Sequence, residues 1–157
     1  MTVDDQPVII VAATVADSGE IMTVQRAAYV SEAMLYDNTK FTAFTETLDE
    51  IQAAVAAGGV LIAKLGSRIV GAVRGELVGE ECLVGRLVVA PDLRGRGIGG
   101  RLMLAVEEKF AGAREFVLST GDRSAANLRL YERVGYTRSR VVPVAETLSL
   151  VYLVKRQ

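Results

Sequence analysis

The chain has 157 residues, 50% of them hydrophobic, and a formal net charge of −1, which suits one globular domain with a substantial core. It contains no histidine, so Ser-His and Cys-His nucleophilic pairs and the usual His-containing zinc sites are excluded, and no metal site is expected. Its single cysteine, Cys82, excludes an intramolecular disulfide, and no apolar run approaches the roughly 18 residues that cross a bilayer.

Asp4 and Asp5 stand where a secretory leader would carry lysine or arginine, so a cytoplasmic location with no membrane partner is expected. Cys82 lies in an apolar run with Leu83 and Val84 and reads as a small buried hydrophobe rather than an acyl carrier. The charge is uneven: residues 1–85 hold five basic and twelve acidic groups, and residues 86–140 hold eleven basic and six acidic. A basic half suits a polyanionic ligand and an acidic half suits a cationic one, although surface charge also clusters by chance. No basic stripe with interleaved aromatics is present, so nucleic acid is not an expected partner.

In chain order, Val8 to Ala13 reads as a short β-branched strand. Asp17 with Glu20 has capping-box spacing, and Ile21, Val24 and Ala28 mark one face of a helix running to about Leu35. The segment from Tyr36 to Thr45 has no period and reads as a loop. Thr47 with Glu50 repeats the capping box before a stripe of Leu48, Ile51 and Val55, which Gly58-Gly59 ends.

Val60 to Leu65 and Ile69 to Leu77 read as a hairpin about Gly66-Ser67, with Gly79-Glu80 turning into a strand from Cys82 to Val89. A helix follows with Ile98, Leu102, Ala105 and Val106 inward, and Gly112 at its end. Phe116 to Ser119 is the next strand, laid parallel to the previous one by a right-handed crossover. Ser124 or Asp122 caps a helix to Val134, and Tyr136 to Val144 with Leu148 to Lys155 finish as a strand pair. The expected fold is therefore α/β (α+β), a mixed and mostly antiparallel sheet of about seven strands flanked by about four helices, in one domain over residues 1–157.

The informative stretch is Val88 to Leu102. A strand stops at Pro91, glycine occupies positions 95, 97, 99 and 100, and Arg94, Arg96 and Arg101 are interleaved. Glycines let a backbone approach closely and take positive φ, so successive N–H groups can converge on one anion, and the helix beginning near Ile98 adds its orphan donors and dipole. Gly95 to Gly100 formally satisfies G-x-G-x-x-G, with Asp122 lying 22 residues beyond, as a dinucleotide-binding turn would require. Against that reading, Pro91 to Arg94 intervene between strand and turn, and the 57 residues after Gly100 are too few for the rest of a doubly wound domain.

The spacing Val89-x-Pro91-x-x-Arg94-Gly95-x-Gly97-Ile98-Gly99-x-x-Leu102 resembles the coenzyme A pyrophosphate loop of the GNAT superfamily of N-acetyltransferases. A second block, Asn127 to Tyr136, is similar to the family's late helix, with its asparagine, its tyrosine and its terminal glycine. The two blocks cover residues 82 to 136; residues 1 to 81 agree only in the order of their elements. The resemblance implies acetyl-coenzyme A as cofactor, held by Leu87, Val88, Val89, Arg94, Gly95, Arg96, Gly97, Ile98, Gly99, Gly100, Arg101, Asn127 and Tyr131. It further implies that the strands at 82 to 89 and 116 to 119 splay apart to admit the pantetheine arm. Gly85 either marks a bulge there or accommodates packing.

Acetyl transfer to an amine needs an oxyanion site, a proton for the departing thiolate and a neutral nucleophile. Backbone N–H groups of Leu87 to Val89 suit the first. Tyr131, four residues from Asn127 and so on the same helix face, is the candidate general acid; the resemblance sets it against the cofactor sulfur. Some family members carry a base near the position of Leu83. Here Glu81, two residues earlier on the same strand face, is the candidate, with Glu76, Glu32 or deprotonation through water also open. Tyr29, Glu32 and Tyr36, with Phe41, are the candidate acceptor residues. A small-molecule primary amine is the expected acceptor, a protein N-terminus or lysine being an alternative. A non-catalytic acyl-coenzyme A sensor is the rival from another class, and a homodimer is compatible with the chain.

Overall fold

The computed structural model describes residues 7–38 and 40–157; Asp4 and Asp5 lie outside them. Seven strands, β1 (Val8–Ala12), β2 (Val60–Leu65), β3 (Arg68–Val78), β4 (Glu81–Val89), β5 (Glu115–Gly121), β6 (Thr137–Ala145) and β7 (Leu148–Arg156), form one sheet. Its order is β1-β2-β3-β4-β5-β7-β6. Only β4 and β5 run parallel, as the crossover between them requires. Among the described residues five α-helices flank it: α1 (Ser18–Leu35), α2 (Thr42–Thr45), α3 (Leu48–Ala56), α4 (Ile98–Lys109) and α5 (Ala125–Arg133). The mixed, mostly antiparallel sheet is the one expected. The extra helix, α2, is a single turn inside the segment read as a loop, too short to carry a period.

Strand alternation sorts the core into two layers. Ile62, Ile69, Ala72 and Val88 face Ile21, Val24 and Ala28 of α1 and Ile51 and Val55 of α3. Ala63, Val70, Val73, Cys82 and Val84 face Ile98, Leu102, Met103 and Val106 of α4, a layer that continues through Phe116 to Leu128 and Tyr131 of α5. Each of the valine, leucine, isoleucine, methionine and phenylalanine side chains among them contributes about 1.5–3 kcal/mol on burial. Cys82 is fully buried, and burial pushes its thiol up, as befits a hydrophobe rather than a nucleophile.

Local signals are displaced where a distant partner competes. The capping box before α1 is one turn early: Thr14 N–H donates to Asp17 Oδ2 at 2.8 Å across the 3-10 turn Val15–Asp17. Glu20 instead accepts from the Ile69 N–H of β3. The Thr47 box is as expected, Glu50 N–H donating to Thr47 Oγ1 and Thr47 N–H to Glu50 Oε1, but Leu48 is exposed. On α4 it is Met103 rather than Ala105 that joins the buried stripe. Ser124 occupies the N-cap of α5 without capping it, because its hydroxyl donates to Glu32 Oε2 at 2.6 Å.

The feature that positions everything below is the incomplete pairing of β4 with β5. Register holds only for Glu81 with Glu115, Cys82 with Phe116 and Leu83 with Val117, and the strands then diverge. The opposite edge of β5 is paired to β7 along its whole length. The opening is therefore one-sided, a gap in the sheet between β4 and β5. A bulge lies beside it: Ala72 pairs with Val88 but Arg74 pairs with Gly85, so between those pairs β4 carries one residue more than β3. The left-handed residue of that bulge is Arg86, at φ 51°, and not Gly85.

Candidate active site

The gap opens into a cavity of about 640 Å³ whose wall is drawn from both faces of the sheet: Tyr29, Glu32 and Tyr36 of α1, residues 84–89 of β4, the glycine turn, and Asn127 and Tyr131 of α5. Backbone geometry builds its polar edge. Ala90 N–H donates to Val70 O of β3 at 2.8 Å, so strand alternation turns the N–H groups of Val89 and Leu87 toward the unpaired β5 side. Buried N–H groups without partners are costly, and an edge of this kind is suited to a ligand that is itself peptide-like.

The turn after β4 is built to leave its donors free. Pro91–Leu93 form a 3-10 turn closed by Leu93 N–H on Ala90 O, with Leu93 buried beneath it. Gly95 and Gly97 then take φ 78° and 80°, which a Cβ would penalise by roughly 1–2 kcal/mol. No protein atom stands within 4 Å of where either Cβ would project, so the concave side is open. The first bond of α4 is Arg101 N–H to Gly97 O. The N–H groups of Gly99 and Gly100 therefore have no backbone acceptor among the described residues, and the positive end of the α4 dipole adds to them. A phosphate group fits this donor set.

The arginines divide. Arg94 lines the cavity, but its Nη2 donates to Ala28 O at 2.9 Å and to Ser31 Oγ at 3.3 Å, clamping α1 to the turn. Arg96 and Arg101 are exposed and stand outside the cavity wall. In their place, Arg129 and Arg133 of α5, four residues apart and so on one face, line the cavity. No regular motif singled them out in the sequence.

Tyr131 is 7% exposed and packs edge-to-face on Tyr136, with ring centroids 6.3 Å apart. Its hydroxyl makes no hydrogen bond within the described residues although it borders the cavity. Burial, with the negative charge of Glu32 and the neighbouring Tyr29 adding to it, pushes this phenol well above its ordinary range, so it stays protonated at any physiological pH. Asn127 Nδ2 donates to Thr120 Oγ1 at 3.4 Å, which turns the amide toward the β5 side of the gap.

The structure brings Tyr29, Glu32, Tyr36 and Phe41 to the wall of one cavity. Tyr29 and Glu32 border the cavity, and burial raises the Tyr29 phenol. Tyr36 is 2% exposed; its hydroxyl accepts from Arg123 N–H at 2.7 Å and bonds Ser124 Oγ at 3.1 Å. It thus pins the end of α1 to the start of α5 rather than offering itself to a ligand. A Cβ at Gly121 would strike that hydroxyl. Gly121→Ala is accordingly expected to destabilise the protein by about 1–3 kcal/mol, read as a lower Tm, and an unchanged Tm would show the Tyr36 anchor to be loose.

Glu81 needs correction. It lies at the end of β4 that is still paired with β5, is exposed, and borders no part of the cavity. Shared strand parity with Leu83 placed it on the right face but at the wrong end. Glu32 is the carboxylate that reaches the cavity wall. A second group escaped the sequence reading: Glu46, between α2 and α3, takes a bidentate pair from Arg74 at 2.6 and 2.8 Å and a bond from Gln25 Nε2 at 3.1 Å. Burial alone would raise the Glu46 carboxyl, but the Arg74 and Gln25 hydrogen bonds and the charges of Arg74 and Arg86 outweigh it and hold the pKa at about 2.

Among the described residues no group of acidic or cysteine side chains is arranged to hold a metal ion, and no helix is long and apolar enough to cross a membrane. The fold is similar to that of the PaiA N-acetyltransferase of Thermoplasma acidophilum, crystallised with coenzyme A, at TM-score 0.80 and 14% identity over 96% of this chain and 99% of that one. It is similar also to YncA of Salmonella typhimurium, a putative acetyltransferase solved with acetyl-CoA, at TM-score 0.78 and 20% identity over 96% and 94%. The Escherichia coli ribosomal-protein-S18-alanine N-acetyltransferase matches at TM-score 0.75 and 14% identity over 96% and 94%. The model of the acetyltransferase (GNAT) domain matches residues 56–138, the span that holds β4, the glycine turn and α5; the chain belongs to the GNAT acetyltransferase family.

Proposed function

We propose that this protein is an N-acetyltransferase that uses acetyl-coenzyme A and acetylates an amine by direct transfer, donor and acceptor being bound together. The observation that carries the reading is the single cavity through the gap between β4 and β5, bordered by the glycine turn, the free edge of β4, Tyr131 and Glu32. Acetyl-coenzyme A would supply an activated acyl thioester. The N–H groups of Gly99 and Gly100 and the guanidinium groups of Arg129 and Arg133 are suited to its phosphates, and Asn127 with the β4 edge to its amide-bearing arm.

Each remaining requirement has a candidate in this chain. The Leu87 and Val89 N–H groups donate to the carbonyl oxygen as negative charge grows on it, the effect expected to lower the barrier most. Glu32 holds the ammonium form of the acceptor and receives its proton, a role suited to a half-buried carboxylate that accepts one hydrogen bond among the described residues, from Ser124. Tyr131 gives its proton to the departing sulfur, from a phenol that burial keeps protonated until the thiolate forms.

The test is an amine library with acetyl-coenzyme A, following free thiol, beside calorimetric titration with coenzyme A and NADH. Acetyl-dependent thiol release with at least one amine supports the reading. Coenzyme A binding without release for any amine would leave a sensor, and binding of NADH alone would return the dinucleotide reading.

A further inference from the structure

The acceptor side of the cavity carries one cation more than its own carboxylate can satisfy. Arg74 and Arg86 both approach Glu46, but Arg74 takes both of its oxygens. Arg86 is left with a 3.6 Å ion-pair approach of Nε to Oε1, beyond hydrogen-bond distance, and that buried Nε has no hydrogen-bond acceptor among the described residues. No nitrogen of the Arg86 guanidinium donates a hydrogen bond among the described residues, and its side chain is 27% exposed, at the cavity wall. A half-buried guanidinium whose buried Nε lacks a hydrogen bond is better satisfied when an anion arrives.

Three further observations aim this cation at a ligand. Arg86 is held at φ 51° by the β4 bulge, a conformation uncommon for any residue but Gly, Asn or Asp and found where structure over-determines it. It lies one residue before Leu87, whose N–H opens on the gap. Tyr29, Glu32 and Arg86 line the same cavity, so a cationic and an anionic group share its wall with one phenol. Glu46 and Arg74 cancel one another behind them.

We propose that the acceptor is an amine that also bears a carboxylate, its ammonium group against Glu32 and its carboxylate taken by the Arg86 guanidinium, in the cavity that Tyr29 also lines. This rests on the reading of the protein as an N-acetyltransferase. The α-amino acids are the simplest members of the class, and a planar guanidinium can grip a carboxylate in two parallel bonds.

The experiment compares matched sets: glycine, leucine, phenylalanine and glutamine, each as free acid, carboxamide and decarboxylated amine, as acceptors with acetyl-coenzyme A. The free acid of at least one set should exceed its carboxamide in kcat/KM by about 10- to 100-fold, the range of a hydrogen-bonded charge, mostly through KM. In Arg86→Gln that ratio should collapse toward one, and Arg86→Lys should restore part of it. Equal rates for acid and amide in every set, or a ratio that survives in Arg86→Gln, would overturn the proposal. A second arm needs no turnover: calorimetry of N-acetyl-leucine and N-acetyl-leucinamide, each in the presence of coenzyme A. If no amine is acetylated the transferase reading fails. The anion site still stands where the wild type binds the acid better than the amide and Arg86→Gln does not, and falls where the two ligands bind alike.

Discussion

A Tyr131→Phe variant is expected to turn over about 10²-fold more slowly or worse while holding coenzyme A as tightly as the wild type. The substitution is conservative in every respect but the proton. Phenylalanine keeps the ring and therefore the edge-to-face contact with Tyr136, which sits in the core shared by α4, α5 and the sheet. The hydroxyl it removes has no protein partner among the described residues, so no buried group is orphaned and stability should change little. What disappears is a proton held ready at the cavity wall by a phenol that burial keeps neutral. Free-thiol release gives kcat, and calorimetry with coenzyme A gives affinity. Wild-type turnover would remove the proton-donor role; a parallel fall in affinity would make the hydroxyl a binding group instead.

The parts of this site that could be read from the chain are those whose signal is local. The glycine turn is legible because the constraints on Gly95 and Gly97 are set by their own φ angles, and the Thr47 capping box because its two bonds close within four residues. Asn127 and Tyr131 are carried by the resemblance of the block that holds them, and helical spacing adds only that they share a face. What was missed depends on partners far apart in sequence. Tyr36 could be placed near the acceptor from its position after α1, but its anchoring role depends on Ser124, 88 residues later. Glu46 looks like any polar residue before a helix until α1 and β3 bring Gln25 and Arg74 to it. Glu81 failed for a related reason: side-chain parity along a strand is fixed by local geometry, whereas the point at which β4 and β5 part company depends on how the whole sheet twists. Gly85 drew attention to the right bulge, yet the strained residue is its neighbour Arg86, because the bulge is fixed by pairing with β3 and not by the permissiveness of glycine.

The largest loss of stability is expected from Glu46→Gln. Glu46 is 7% exposed and Arg74 19%, so removing the carboxylate charge leaves two guanidinium groups facing one another in a poorly solvated place. Breaking a buried pair from one side costs about 3–5 kcal/mol, far above the 0–1 kcal/mol of an exposed pair such as Arg68 with Asp92. For a chain of this size about 3 kcal/mol corresponds to a fall in Tm of roughly 6–12 °C. The loss should also depend on pH in a definite direction. The folded carboxyl titrates at about 2 against an ordinary 4.5, so its contribution is complete above pH 4.5 and disappears as the pH falls toward 2. The glutamine variant has no such proton to take up. Tm measured for both proteins from pH 7 to pH 3 should therefore converge on acidification. Curves that stay parallel would mean that the Glu46 carboxylate is not held by the Arg74 and Gln25 hydrogen bonds.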